Sequence, residues 1–240
     1  MSPPVPPAAA IFTGLNGTLV PFEDPPSATP LDLGLLTELH LLESSLGGAL
    51  AVSTGRTIAQ LDRLLGGWRI PAVGADGLER RGADGIVVRP LLEVAALDPA
   101  RRALERLVAR EPRLIVEDKG TALAVHCGGA PEKFDLALTA LSDLLPTVGP
   151  TYQILQGRSV LELKPRRYNK GTALADLMRE PAFRGRTPIA IGDDVADADA
   201  FRAAERLGGF GVSVGGGLGE RYHLRDPAAL REWLQWFVRA

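Results

Sequence analysis

Three carboxylates follow a predicted buried strand in the last quarter of the chain. The stretch GDDVAD places Asp193, Asp194 and Asp197 directly after the apolar run TPIAI. Carboxylates beside a buried strand are costly unless a cation or hydrogen-bond donors compensate them. They therefore either bind a divalent cation such as Mg²⁺ or form the N-cap and first turn of the following helix. The residues themselves leave both alternatives open.

Two further loops carry groups suited to a phosphate. Ser53, in VSTGR, follows the apolar strand GALAV, and Lys170, in NKG, precedes a predicted helix. A hydroxyl, an ammonium and the free N–H groups of a helix start can all donate to a phosphate. Taken singly, Ser53 also fits an ordinary strand-end cap, and Lys170 fits a solvated surface lysine. Ligands of open α/β sheets bind beyond the strand ends, so the shared location of these loops favours a phosphate site.

The turn after the first strand has the same form but no reactive side chain. In IFTGLNGTLVPF, residues 11–22, there is no carboxylate, thiol or imidazole, and the only hydroxyls are those of Thr13 and Thr18. Thr13 lies within the strand, and alternation should direct it away from the loop. The backbone N–H groups of Gly17 and Thr18 remain available. The turn therefore predicts anion binding without an evident nucleophile.

The elements that must position these loops alternate between strand and helix in the first and last parts of the chain. This rhythm is typical of a parallel α/β sheet. Residues 98–166 instead show helix, two strands, helix and two strands with short turns. We therefore predict an α/β core formed by residues 10–97 and 167–240, with an α+β domain inserted at 98–166. Residues 1–9 are predicted to form a disordered Pro-rich tail.

Composition restricts the class of protein further. The chain has 240 residues, of which 45% are apolar, enough for a sizeable core, and a formal net charge of −2. That charge gives no sign of binding to nucleic acid or to an anionic membrane. The single cysteine, Cys127, excludes an internal disulfide and fits a reducing compartment. With no signal peptide or membrane span in the sequence, we expect a cytoplasmic protein.

In chain order, these motifs resemble the haloacid-dehalogenase (HAD) superfamily and, within it, the trehalose-6-phosphate phosphatases. The superfamily's first motif, Asp-x-Asp-Gly-Thr-Leu, is replaced here by GLNGTL, residues 14–19. Ser53, Lys170 and GDDVADADAF match the other three motifs. The segments GADGLERR, VEDKGTALAVHC, LELKP and RLGGFGVSVG are similar to trehalose-phosphate enzymes. Asp76 and Ala196 depart from the family, which tends to have His and Thr there.

The resemblance covers residues 10–238 and implies a Rossmann-like core with an αββαββ cap. It also implies that position 14 would hold the nucleophile and position 16 the general acid/base. Gly14 has no side chain, and Asn16 cannot exchange a proton near neutral pH. The covalent route is then absent, together with acid–base help worth roughly 10²–10⁴-fold. We therefore expect a catalytically disabled phosphatase homologue.

The resemblance also implies a ligand set. Mg²⁺ would be held, more weakly than in the family, by the backbone carbonyl of Asn16 and by Asp193, Asp194 and Asp197. The loss of two negative charges should make the pocket more attractive to a phosphate. The expected ligand is trehalose 6-phosphate or a related sugar phosphate. Its contacts would come from Gly17, Thr18, Ser53, Arg56, Lys119, His126, Glu162, Lys164 and Lys170.

Four of these residues lie on predicted cap strands that, by resemblance, face the active site. Glu162 and Lys164 alternate with leucines and so share one strand face. That face is polar either because it is solvated or because it binds sugar hydroxyls. From the residues alone, His126 also fits a half-buried histidine and Lys119 a solvated residue of a hairpin turn.

Four functions remain open at this stage. The chain could be a non-enzymatic sensor or regulator that binds a phosphosugar, or a working phosphatase with another nucleophile. It could also be an active-site-substituted form of a phosphatase, or have a purely structural role. The turn contains no Asp, Cys or Ser, which argues against a working phosphatase with another nucleophile. Gly is an unusual inactivating replacement for Asp, which argues against an active-site-substituted form. The sequence identifies no protein partner.

Overall fold

The computed structural model describes residues 3–23, 29–92, 94–216 and 220–239. Twelve β-strands and seven α-helices are described within these ranges. The strands are β1 (Ala9–Gly14), β2 (Leu50–Ser53), β3 (Ala72–Gly74), β4 (Glu79–Arg81), β5 (Val87–Val88), β6 (Ile115–Asp118), β7 (Leu123–His126), β8 (Tyr152–Gln156), β9 (Val160–Pro165), β10 (Thr187–Gly192), β11 (Phe210–Val214) and β12 (Tyr222–Leu224). The helices are α1 (Leu33–Ser45), α2 (Ile58–Leu64), α3 (Asp98–Arg110), α4 (Phe134–Val148), α5 (Lys170–Leu177), α6 (Ala198–Arg206) and α7 (Pro227–Arg239).

The chain forms two compact units. The core unit contains residues 3–23, 29–89 and 169–239, and the insert unit contains residues 90–92 and 94–168. The insert thus begins before residue 98, where the sequence places its start. A 3₁₀ turn at Val94–Leu97 precedes α3, and Leu97 is buried among the apolar side chains of the insert unit.

The core unit is built on one eight-stranded sheet. Its strand order is β12-β11-β10-β1-β2-β3-β4-β5, parallel from β12 to β3, with β4 and β5 added as an antiparallel hairpin. Every residue of β1 is buried, as expected for a parallel strand covered on both faces. Gly14 pairs with Ser53 and Thr13 with Ile191, so the carboxyl ends of β2, β1 and β10 are adjacent. The predicted α/β fold with a parallel sheet is confirmed.

The start of the chain differs from the predicted tail. Ala9 already belongs to β1, and Pro3 is buried, with its carbonyl accepting a hydrogen bond from Trp233 Nε1 at 3.1 Å. A buried indole N–H needs an acceptor, and this contact provides one. Met1 and Ser2 lie outside the described residues.

The insert unit has the element order α3-β6-β7-α4-β8-β9, which is the predicted αββαββ pattern. Its antiparallel sheet has the order β6-β7-β9-β8. Leu123, Val125, Leu161 and Leu163 belong to the apolar core of this unit, together with side chains from α3 and α4. The opposite sheet face carries charged side chains. None of the helices in the described part of the chain is long and apolar enough to cross a bilayer.

Candidate functional site

The loop after β1 is closed around a glycine. A Cβ built on Gly14 would lie 2.9 Å from Thr18 Cβ and closer still to Thr18 Oγ1. Thr18 is fully buried, and its hydroxyl donates a hydrogen bond to Asp193 Oδ1 at 2.7 Å. Gly17 has φ = 80°, and a Cβ there would lie 2.7 Å from Asp193 Oδ1 and nearer to Oδ2. The loop therefore packs directly on the carboxylate that follows β10.

Asn16 contacts the loop after β2. Its Oδ1 accepts a hydrogen bond from Arg56 Nε at 3.2 Å. The predicted phosphate contact Arg56 and the predicted acid/base position Asn16 therefore adjoin each other. An amide is an uncharged acceptor for the guanidinium and has no proton to transfer near neutral pH.

Ser53 ends β2 next to Gly14. Its side chain is buried, and its Oγ finds no hydrogen-bond partner among the described residues. A buried hydroxyl without a partner is unfavourable by about 1–3 kcal/mol, so such groups call for an explanation. A ligand atom at the strand end would supply the missing partner.

Lys170 is the first residue of α5 because Asn169 caps the helix, accepting from Thr172 N at 2.9 Å. Its buried Nζ donates to Asp197 Oδ1 at 2.7 Å and lies 3.3 Å from Asp76 Oδ1. Burial lowers the pKa of Lys170, but the negative charges of Asp197 and Asp76 outweigh it and raise the pKa above the usual range. Lys170 is therefore a buried, ion-paired ammonium, not the solvated surface lysine considered as an alternative.

The three predicted acidic ligands have different surroundings. Asp197 is buried, and its Oδ2 accepts from the backbone N–H groups of Asp193 and Asp194 at 3.0 and 3.1 Å. Asp194 caps the 3₁₀ turn Val195–Asp197 by accepting from Val195 N. Both carboxylates thus organise the loop internally, which is the capping alternative that the sequence left open. Asp193 is half-buried and borders the Gly17 turn.

These donors fit a divalent cation only in part. Among the described residues, no group of three or more His, Cys, Asp or Glu side chains is arranged to hold a metal ion. Asp193 and the backbone carbonyl of Asn16 remain as candidate oxygen ligands. Mg²⁺ prefers six oxygens in a near-octahedral shell. The protein groups alone are therefore too few, and metal binding at Asp193 stays a prediction.

Asp76 is a site residue to which the sequence analysis assigned no role. Ala75 and Asp76 have left-handed φ values of 45° and 49°, which are uncommon for residues other than glycine. The N–H groups of Ala75 and Asp76 donate to the carbonyls of Arg56 and Thr54. The turn is thus attached to the loop after β2, and it carries a buried carboxylate to Lys170. One feature of the sequence marks Asp76 as unusual: it stands in GADGLERR at a position where the family tends to have His.

The insert unit has its own charged cluster, on the sheet face opposite its apolar core. Lys119 Nζ lies 3.4 Å from Glu162 Oε2, and both side chains are buried, as is Lys164. His126 Nε2 lies 3.1 Å from Glu117 Oε2. The strand register pairs Ala124 with both Glu117 and Glu162, which places the two glutamates on one face. Lys119 is therefore a buried ion-pair partner and not a solvated turn residue.

The structure brings Gly14, Asn16, Gly17, Thr18, Ser53, Arg56, Lys170, Asp193, Asp194 and Asp197 together at the strand ends of the core sheet. It groups Lys119, His126, Glu162 and Lys164 on the sheet of the insert unit. The ligand-binding and catalytic roles of both groups remain predictions.

Comparison with known proteins identifies the family. Residues 12–220 match the family model described as trehalose-phosphatase. The chain is 38% identical over 207 residues to a probable trehalose-phosphate phosphatase of Sinorhizobium fredii, covering 86% of this chain and 77% of that protein. It is 34% identical over 232 residues to the trehalose-6-phosphate phosphatase of Escherichia coli K12, covering 96% and 87%.

Solved structures agree with this match. The chain is similar to a trehalose-6-phosphate phosphatase related protein, with 25% identity, a TM-score of 0.78 and coverage of 95% and 96% of the two chains. The C-terminal domain of the C. albicans trehalose-6-phosphate phosphatase shares the fold, with a TM-score of 0.83 at 19% identity and coverage of 97% and 92%. From the matched model, the sequence relatives and the HAD-like fold together, we conclude that this chain belongs to the trehalose-phosphatase family of the HAD superfamily.

Proposed function

We propose that this chain is a trehalose-6-phosphate phosphatase homologue that binds a phosphorylated sugar without hydrolysing it, in a sensing or regulatory role. The observation that carries the proposal is the contrast at the strand ends. Position 14 has no carboxylate, and a Cβ there would press on the Thr18 side chain, whereas Ser53 and Lys170 present a buried hydroxyl and a buried ammonium. The phosphate-binding groups remain, and the groups for covalent and acid–base chemistry do not.

No other side chain of the first loop replaces the missing nucleophile. Thr13 is fully buried and donates to the carbonyl of Gly14. Thr18 is also fully buried, and its hydroxyl is held by Asp193. A nucleophile must reach the phosphorus atom, and its activating base must lie within hydrogen-bond distance. Neither threonine is exposed to an incoming substrate, which argues against a working phosphatase with a substitute nucleophile.

The phosphate would be held by three kinds of donor: the Ser53 hydroxyl, the Arg56 guanidinium and the Lys170 ammonium. Charge-assisted hydrogen bonds of this kind are roughly twice as strong as neutral ones. The backbone N–H groups of Gly17 and Thr18, which were predicted from the sequence to be available, instead donate to the carbonyls of Val20 and Leu15 at 2.7 and 3.3 Å. When bound, Mg²⁺ would add positive charge near Asp193. Because the protein supplies few of its ligands, we expect it to bind tightly only when a phosphate completes the shell.

The sugar would be recognised by the charged face of the insert unit. Lys119, Glu162 and Lys164 combine donors and acceptors, and disaccharide hydroxyls require both. These three side chains are buried, and Lys119 forms an ion pair with Glu162, so this face is not a merely solvated one. The trehalose-6-phosphate phosphatases among the relatives suggest trehalose 6-phosphate as the first ligand to test.

Two assays test the proposal together. Phosphate release from trehalose 6-phosphate should not exceed that of a mock purification, with or without Mg²⁺. Calorimetry with the same compound should show binding, and Lys170→Ala should weaken that binding much more than Lys133→Ala. Lys133 is a suitable control because it is half-exposed and paired with Glu111 at 2.9 Å within the insert unit.

The possible failures have different meanings. Hydrolysis that is lost on Asp193→Asn would show that the chain is an active phosphatase. Absence of both heat and thermal shift with every sugar phosphate tested would instead support a structural role. A bound ligand must raise the melting temperature by mass action, so the two binding readouts check each other.

A further inference from the structure

The turn at residues 75–77 holds an unusual backbone conformation. Three successive residues have positive φ: Ala75 at 45°, Asp76 at 49° and Gly77 at 99°. A Cβ on Gly77 would lie 2.7 Å from Asn169 Cα, so the turn packs against the residue that caps α5. Such conformations persist only where surrounding contacts enforce them, and they cluster at functional sites.

This conformation places the carboxylate of Asp76 beside Lys170. Asp76 Oδ1 lies 3.3 Å from Lys170 Nζ, and the two side chains are 10% and 7% exposed. On its other side, Asp76 Oδ2 would lie 2.9 Å from a Cβ built on Gly55, within the loop that follows Ser53. Asp76 is therefore a buried anion between the phosphate-binding loop of β2 and the start of α5.

Lys170 already has a full counter-charge without Asp76. Asp197 binds it at 2.7 Å and is fixed by two backbone N–H groups. One ammonium and one carboxylate are neutral together, so the carboxylate of Asp76 adds a further negative charge beside Lys170. A phosphate approaching Lys170 is repelled by this buried carboxylate, whose charge solvent screens little.

We propose that the Asp76 carboxylate pairs with Lys170 in the ligand-free protein and competes with phosphate for this ammonium. Asp76 thereby lowers the affinity of the site for a phosphate group. The proposal rests on the proposed function, because it assumes that Lys170 binds phosphate. The unpartnered Ser53 hydroxyl independently indicates a ligand at the same strand ends. Asp76 then offsets one of the two negative charges lost at positions 14 and 16, and the site attracts phosphate less strongly than the sequence alone suggested.

The test is calorimetric titration with inorganic phosphate. Asp76→Asn keeps the shape, removes the charge and introduces a residue that tolerates the left-handed region. Asp76→Gly removes the charge and the backbone penalty together, and so provides a second variant if the first folds poorly. We expect both to bind phosphate about tenfold more tightly than the wild type, as for removal of a nearby like charge. Asp143→Asn, an exposed change of equal charge on α4, should leave the affinity unchanged.

A gain in affinity is a result that a merely structural role for Asp76 would not produce. The gain should disappear in Asp76→Asn combined with Lys170→Met. Equal or weaker binding in the Asp76 variants, or a gain that survives Lys170→Met, would overturn this inference and leave the proposed function intact. If neither the wild type nor the Asp76 variants bind phosphate or a sugar phosphate, the proposed function and this inference both fail.

Discussion

Thr18 occupies the space in which a side chain at residue 14 would begin. A Cβ on Gly14 would lie 2.9 Å from Thr18 Cβ, while the Thr18 hydroxyl is held by Asp193 at 2.7 Å. The loop is therefore packed around a glycine. Thr18 fills the space where the Cβ of a residue at position 14 would lie. Through Thr18, this packing links position 14 to Asp193.

The crowding at Gly14 can be measured by unfolding in urea. We expect Gly14→Ala to lower the free energy of unfolding by about 1–3 kcal/mol, the usual cost of overpacking. In a Thr18→Ala background the same change should cost less, with a coupling energy of about 0.5–3 kcal/mol between the two sites. Gly216→Ala is the matched control, because a Cβ there meets no atom of the described residues within 4 Å. Strictly additive effects would contradict the contact.

Carboxylates introduced at positions 14 and 16 test the proposal that their absence disables hydrolysis. Gly14→Asp with Asn16→Asp should restore Mg²⁺-dependent release of phosphate from trehalose 6-phosphate, and each single change should fail. The effects should be non-additive, because a nucleophile and an acid/base act as one unit. Gly14 has no positive φ, so the backbone accepts an aspartate once Thr18 shifts.

Arg56 should affect the ionisation of the aspartate introduced at position 16. Its Nε lies 3.2 Å from Asn16 Oδ1, so a carboxylate at position 16 would sit beside a guanidinium that favours its ionised form. A double variant that folds and binds Mg²⁺ but remains inert would show that the divergence extends beyond these two positions.

Ser53 should separate ligand binding from stability. Because its buried hydroxyl has no partner among the described residues, Ser53→Ala should raise the free energy of unfolding by about 1–3 kcal/mol. The same variant should weaken phosphate binding about tenfold by removing one donor. Ser213 is the control: it is equally buried but contacts His223 Nδ1 at 3.3 Å and the Tyr222 carbonyl at 3.4 Å. Ser213→Ala should cost about 1 kcal/mol of stability without changing the phosphate affinity.

Lys170 should make stability depend on pH in the alkaline range. Its pKa in the folded protein is raised above the ordinary value of 10.5, so the folded state holds the proton more tightly than the unfolded chain. The stabilisation is complete below pH 10.5 and is lost as the pH rises towards the folded-state pKa. Lys170→Met should cost about 3–5 kcal/mol at neutral pH, because it removes the ammonium that pairs with two buried carboxylates.

Comparing the wild type with Lys170→Met separates the titration of Lys170 from that of other groups at alkaline pH. The difference in free energy of unfolding between wild type and Lys170→Met should shrink steadily above pH 10.5. A difference that stays constant to higher pH would mean that the ion pairs with Asp76 and Asp197 do not raise the pKa of Lys170.

The sequence alone was sufficient for the parallel sheet, the αββαββ insert and the grouping of the loops at the strand ends. Buried strands such as β1 are continuous apolar runs closed by glycine or polar loops, so local pattern and strand-end geometry suffice for them. It did not predict β12 or the docking of Pro3 on Trp233. Tyr222–Leu224 is a short edge strand without an apolar run, and its pairing with β11 depends on the neighbouring strand.

The lack of a carboxylate in the first loop can be read from the sequence, because it is a matter of residue identity. Only the tertiary structure decided how the remaining charges are paired. In the structure Asp197 pairs with Lys170 and accepts hydrogen bonds from two backbone N–H groups. Asp76, which lies 94 positions before Lys170 in the sequence, contacts the same ammonium. Such pairings depend on the direction of each side chain and on a left-handed turn that no local pattern predicts. Electrostatic interactions in a buried site change steeply with distances of a few ångströms, so the balance of charge at this site is a property of the fold.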